Sequence, residues 1–141
     1  MQKNEQVIQV VREWIEKAEN DLRNASNTLK LGKDGPLDTI CFHAQQCVGK
    51  YMKSFLAFRG IDFPKTHDIS ELLVLIPVRS RPQIDIREQR MFTSYATVTR
   101  YPGDYEPISL TEAKHAVSVA RKIRKEVRSF LPKEAFLKRK I

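Results

Sequence analysis

The chain has 141 residues, 41% hydrophobic and 30% charged, enough apolar material for one core of ordinary domain size and too much for a disordered chain. Residues 1–6 lack the apolar stretch of a secretory signal, and no apolar run approaches the roughly 18 residues that cross a bilayer, so the reading excludes export and membrane insertion and places the chain in the cytoplasm. The net charge of +8 is uneven: residues 112–141 hold ten Lys or Arg against three Glu, a pattern of polyanion binding or of a solvated helix face with a basic tail.

In chain order, Val11, Ile15, Ala18, Leu22, Ala25 and Leu29 alternate steps of four and three, the stripe of one helix face. Glu13, Glu16, Lys17, Glu19, Asp21 and Arg23 lie between them as an expected water-facing set. Gly32-Lys33-Asp34-Gly35-Pro36 stops this helix, and Pro36 opens a second one. Ile40, Ala44, Cys47 or Val48, Tyr51, Phe55 and Phe58 form its stripe, widened by Leu37, Cys41, Met52 and Leu56. A face so broad predicts several neighbours, as at a bundle centre or a dimer seam. Gly60 is the expected left-handed cap. Cys41 and Cys47 match neither a CxxC redox pair nor a zinc-ligand pair and read as small semi-buried residues in a reducing compartment.

Thr66 or Asp68 caps a short helix through Ile76, which Pro77 ends. A third long helix is expected from about Ile84 to Thr99, with Ile84, Met91, Tyr95 and Val98 on one face. Pro102, Gly103 and Pro107 then break the pattern. Ser109 and Glu112 have capping-box spacing and open the last helix, with Ala113, Val117, Ala120, Ile123 or Arg124, Val127 and Leu131 as its stripe. No alternating strand pattern appears. The expected fold is all-α: an antiparallel up-and-down helical bundle of four long helices plus one short helix. It forms one domain over 1–141, with its core at about 8–131 and a basic tail at 132–141.

Three stretches, in order, carry a family likeness: Trp14 to Leu22; Cys41 to Leu56, followed by Gly60, Pro64, Thr66, His67, Asp68 and Leu72; and Arg100-Tyr101-Pro102 before the final helix. In these the chain resembles the HEPN family, the higher-eukaryote and prokaryote nucleotide-binding domains. The resemblance implies a helical homodimer with a nucleotide- or RNA-handling cleft at its interface, often partnered by a separate minimal nucleotidyltransferase in a toxin–antitoxin pair. Ribonuclease members of the family carry an arginine and, after four to six intervening residues, a histidine. Arg100 matches the arginine, but Tyr105, Glu106 and Pro107 occupy the window downstream. The ribonuclease motif therefore lacks its histidine.

Arg100 offers a fork of donors for a phosphate, or an ion pair with Asp104 or Glu106 that pins the turn. RNA cleavage needs a base and an acid that work near neutrality, which leaves His43, His67 and His115 as candidates. Of these, His43 joins Arg100 as a catalytic candidate. On the second helix His43, Gln46 and Lys50 fall on one face and predict a polar cleft wall; the plain alternative is a wet helix edge. His67 belongs to the loop before the short helix, and His115 shows no partner. Tyr101 and Tyr105 can stack on a base, accept a nucleotidyl group as the toxin-type resemblance implies, or simply pack the turn onto the bundle. Arg121, Lys125 and Arg128 share a face of the last helix, in a stripe that Lys114, Lys122 and Arg124 extend. No phosphate loop, metal-ligand cluster or nucleophile elbow is present, so neither a metal nor a cofactor is expected and any nucleotide must be held by side chains and helix ends.

The functional expectation is a HEPN-like homodimer that binds nucleotide or RNA phosphate through Arg100, Tyr101, Tyr105, His43, Gln46, Lys50, Arg121, Lys125 and Arg128, alongside a minimal nucleotidyltransferase. The alternatives are a metal-independent ribonuclease toxin with a degenerate arginine–histidine motif and a structural helical adaptor.

Overall fold

A computed structural model describes residues 4–96 and 107–136. They form five α-helices: α1 Glu5–Leu29, α2 Leu37–Arg59, α3 Ile69–Leu75, α4 Ile86–Tyr95 and α5 Leu110–Arg128. Short 3-10 turns add Gly32–Asp34, Val78–Ser80 and Lys133–Phe136, and no strand occurs among the described residues. None of the helices is long and apolar enough to cross a membrane.

Each boundary has a local cause. Asn4 starts α1 by accepting the Gln6 N–H on its side chain, and Gly32 takes the left-handed φ of +69° that turns the chain after it. Gly60 does the same after α2, where Ile61 N–H reaches the Leu56 carbonyl at 2.9 Å and Gly60 N–H reaches Ala57 at 3.2 Å, a Schellman closure. Asp68 caps α3, accepting from Ser70 and Glu71, while Thr66 accepts from Asp68 N–H. The sequence reading starts the next helix at Ile84. It starts at Ile86 instead, because Asp85 and Glu88 close a reciprocal capping box and leave Ile84 buried in the approach with its carbonyl held by Gln89. The expected continuation through Val98 and Thr99 lies outside the described residues. Ser109 caps α5 through Glu112 N–H, but the Glu112 carboxylate accepts from the Tyr95 hydroxyl at 2.6 Å. The expected reciprocal half of that box is thus spent on tying α4 to α5.

The broad apolar face of α2 makes it the bundle centre. It packs against α1, α3, α4 and α5, with Ile40, Met52, Tyr51, Phe55 and Leu56 inaccessible to water. Partners of α2 run backwards along α1, from His43 with Asp21 to Lys53 over Trp14, so the two helices are antiparallel. Arg121 with Ser26 and Arg124 with Glu19 show the same reversal between α1 and α5. Glu88 with His115 and Tyr95 with Glu112 show it between α4 and α5. The fold is the antiparallel bundle its periodicity predicts.

The packed region runs further than the expected limit at residue 131. Ala135 is buried against α1, Arg12 Nε donates to the Glu134 carbonyl at 2.9 Å, and the Arg128 guanidinium lies 4.0 Å from the Phe136 ring centre. Cys41 and Cys47 form no disulfide and are fully buried rather than semi-buried. Burial pushes the Cys47 thiol well above its ordinary range, with Glu19 and Asp21 adding to the effect, which keeps it an inert core residue.

Candidate functional site

The polar groups of the bundle gather where α1 meets α2 and α5. Asp21 is the carboxylate at one end, with only 10% of its side chain exposed. It occupies a core phase of its helix, three residues after Ala18 and four before Ala25, both fully buried. That corrects the expectation that Asp21 faces water. Its Oδ1 lies 2.8 Å from His43 Nδ1 and its Oδ2 accepts from Lys50 Nζ at 2.6 Å. A carboxylate only accepts, so the geometry favours the imidazole tautomer with its proton on Nδ1 and leaves Nε2 for a further partner. His43 and Lys50 keep 26% and 24% of their side chains exposed, so both reach solvent while anchored from below. Phe42 braces the imidazole edge-on, with ring centres 5.5 Å apart.

Gln46, the third member of the expected wall, turns away from this pair. Its amide donates to Gln45 Oε1 at 2.8 Å and sits 3.3 Å from His67 Nδ1. The buried Gln45 in turn donates to the His67 carbonyl at 2.6 Å. These two glutamines pin the loop before α3, with His67 as the residue they hold. His43 and Lys50 therefore meet at one carboxylate, and Gln46 flanks them.

Two residues before Asp21, Glu19 builds a second centre. Arg124 grips it with two bonds, Nε to Oε2 at 2.8 Å and Nη2 to Oε1 at 2.9 Å, and the Tyr51 hydroxyl donates to Oε2 at 2.6 Å. Arg128 Nη1 completes the chain at 3.3 Å from the Tyr51 oxygen. Burial by itself raises the Glu19 carboxyl, but the Arg124 and Tyr51 bonds and the two arginine charges outweigh it and hold it below its ordinary range. Burial, followed by the bond to Glu19, pushes the Tyr51 phenol up, so it stays a donor. Glu19 too was expected in water; both acids are seam residues.

The expected basic face of the last helix separates by role. Arg128 is held by Tyr51 and Phe136, Arg121 Nη2 donates to Ser26 Oγ at 2.9 Å, and Lys125 is exposed. His115 has the partner its sequence did not reveal, Glu88 Oε2 at 3.1 Å from Nε2. Arg100, Tyr101 and Tyr105 lie outside the described residues. Further along α2, Lys53 Nζ sits 5.3 Å over the Trp14 ring, and burial, helped by Lys50, lowers its affinity for a proton. Among the described residues no group of three or more His, Cys, Asp or Glu is arranged to hold a metal ion.

A family model described as the HEPN domain matches residues 11–130. The crystal structure of a protein from Thermus thermophilus is similar at 29% identity and a TM-score of 0.71, over 86% of this chain and 98% of that one. The crystal structure of an archaeal HEPN homologue is similar at 28% identity and a TM-score of 0.65, over 85% and 96%. No protein with a curated description matches significantly.

Proposed function

The chain belongs to the HEPN domain family, and from that premise we propose that it is a cytoplasmic, homodimeric module of one domain over residues 1–141 that binds the phosphate of a nucleotide or RNA. The observation that carries this reading is the pair His43 and Lys50, held by Asp21 with a quarter of each side chain open to solvent. The Lys50 ammonium, fixed in this way, keeps two further donors for an anion at a small cost in side-chain entropy, and His43 adds a donor on Nε2 when its ring carries both protons. Arg100, in the sequence before α5, supplies the bidentate phosphate contact, and Tyr101 and Tyr105 supply stacking surfaces. Gln46 offers an amide at the edge, while Arg121, Lys125 and Arg128 extend the positive field along α5. A separate minimal nucleotidyltransferase in a toxin–antitoxin pair is the partner that fits such a module.

The test is a thermal melt with saturating ATP or GTP. Binding raises Tm by several degrees, and Arg100→Ala and Lys50→Met each erase most of the rise. An unmoved Tm at saturation overturns the nucleotide reading. RNA association must weaken with salt, by roughly 0.7 in log K per log salt for each phosphate contact on a single strand. Light scattering that finds a monomer removes the dimer.

The Asp21–His43 contact favours a second reading, a metal-independent ribonuclease. With Nδ1 directed at the carboxylate, Nε2 is oriented to take a proton from a 2′-hydroxyl, while Arg100 stabilises the phosphorane. Cleavage to fragments ending in cyclic phosphate, abolished by both His43→Gln and Arg100→Ala, supports it; intact RNA after prolonged incubation rejects it.

A further inference from the structure

A groove of about 580 Å³ opens where the end of α3 meets the start of α4, with Lys122 of α5 on one wall. None of its lining residues belongs to the Asp21 or Glu19 centres. Arg81 forms part of its wall, donating through Nε and Nη2 to the Ile76 carbonyl at 3.0 and 2.9 Å and through Nη2 to Val74 at 3.3 Å. These bonds satisfy carbonyls that the end of α3 leaves over. They use none of the donors on Nη1, which makes no hydrogen bond among the described residues. Lys122 Nζ donates to the Gln83 carbonyl at 3.1 Å and stands 3.9 Å from Glu126.

The acids of the groove are already engaged. Asp85 Oδ1 accepts Glu88 N–H at 2.7 Å, Glu88 Oε1 accepts Asp85 N–H at 3.3 Å, and Glu88 Oε2 faces His115. Three arginines in the segments flanking its lining are not. Arg79, Arg87 and Arg90 are exposed and form no ion pair among the described residues. Large apolar side chains stand among these charges: Val74 is 66% exposed, Val78 78% and Ile86 60%. Arg90 is one turn after Ile86 on the same helix face. Scattered single hydrophobics are ordinary on a surface, but Val74 and Ile86 line one groove together, and exposed Val78 lies in the connection between their helices.

We propose that this groove docks an acidic amphipathic segment of a partner protein. Its apolar face covers Val74, Val78 and Ile86, and its carboxylates meet Arg81, Arg87, Arg90 and Lys122. An RNA strand satisfies the charges but leaves the valines and isoleucine without a matching apolar face. A second copy joined symmetrically through this face brings like charges together, since each copy presents the same arginine excess. An acidic, leucine-bearing helix satisfies both requirements, as a helix laid into a groove does.

The experiment uses the whole chain and a fluorescent synthetic helix with glutamates on one face and leucines on the other, with a lysine-for-glutamate peptide as control. The acidic peptide binds with NMR shifts confined to residues 74–90 and 122, and the basic control does not bind. Ile86→Asp weakens binding about tenfold or more, the loss expected for a central apolar anchor. Arg87→Glu weakens it by a smaller factor and more so at low salt. Both side chains are exposed, and an unchanged helical spectrum and melt confirm that each variant folds. Equal binding of the two peptides, shifts elsewhere, or no binding of the acidic peptide overturns the proposal. So does a dimer that becomes a monomer on Ile86→Asp, which assigns the face to a second copy. Competition by single-stranded RNA at the same residues assigns it to nucleic acid and also overturns it. All of these readouts are independent of Arg100, His43 and Lys50.

Discussion

Two carboxylates of α1, Glu19 and Asp21, stand two residues apart and meet opposite fates. Glu19 is closed from three directions: Arg124 takes both its oxygens, Tyr51 adds a hydroxyl, and Arg128 seals that hydroxyl from beyond. Each donor there comes from a side chain laid across the helix seam, and the carboxylate has no strong site left for a ligand. Asp21 is the more deeply buried acid, yet its two partners, His43 and Lys50, point past it toward water. The first arrangement stitches α1, α2 and α5 together. The second uses a buried acid as a foundation for groups whose outer atoms are still free to act. Depth of burial therefore does not identify a site; what decides it is whether the partners of the buried group are themselves enclosed.

Substitutions that treat the two acids alike separate these roles. The largest stability change is expected at Glu19. Glu19→Ala leaves Arg124 and Tyr51 without their acceptor and costs about 2–3 kcal/mol in denaturant melts, with nucleotide binding by the folded protein unchanged. A loss below about 0.5 kcal/mol breaks the claim that this centre is structural. Asp21→Asn removes the charge but keeps the shape, and about 1–2 kcal/mol is expected. Its clearer signature is a roughly tenfold weaker nucleotide affinity, because His43 and Lys50 lose their anchor. Lys50→Met sharpens the contrast further: stability changes by less than about 1 kcal/mol, since Asp21 retains His43, while binding falls as far as in Asp21→Asn.

The smallest effect is the acid limb of the stability curve. Because the folded Glu19 carboxyl lies below its ordinary value of 4.5, the folded state binds that proton less readily than the unfolded chain does. Its contribution is complete above pH 4.5 and disappears as the pH falls through the lower folded value. Melts between pH 6 and 3 should lose stability more steeply in the wild type than in Glu19→Gln. Parallel curves in that window contradict the assignment.

Much of the bundle was legible because helix phase and caps are local. The stripe from Val11 to Ala25, the stop at Gly60 and the caps at Asp68 and Ser109 all depend on neighbours within a turn or two. Partner choice does not. Glu112 has the spacing to close its own cap, yet the hydroxyl of Tyr95, seventeen residues away, draws its carboxylate off. Likewise the spacing of His43, Gln46 and Lys50 places them on one face, but whether they act together is decided by groups 21 to 29 residues distant. Asp21 was the exception that could have been found: an acid in phase with Ala18 and Ala25 occupies a core position, and a core acid requires partners. Its reading as a surface residue followed from residue type when position held the better information. Glu19 carried no such signal, because the arginines that claim it come from the other end of the chain.

The bond from Arg12 to the carbonyl of Glu134, with Ala135 packed on α1, sets the last described turn against α1 about two turns from the start of that helix. Such an adjacency lets the order of the helices be rewired without moving them. A linker from the last described turn to the start of α1, with new termini opened between Lys30 and Pro36, gives a circular permutant that keeps every contact of the Asp21 and Glu19 centres. Connectivity between α1 and α2 then becomes a design variable, and the native melt of such a permutant is its test.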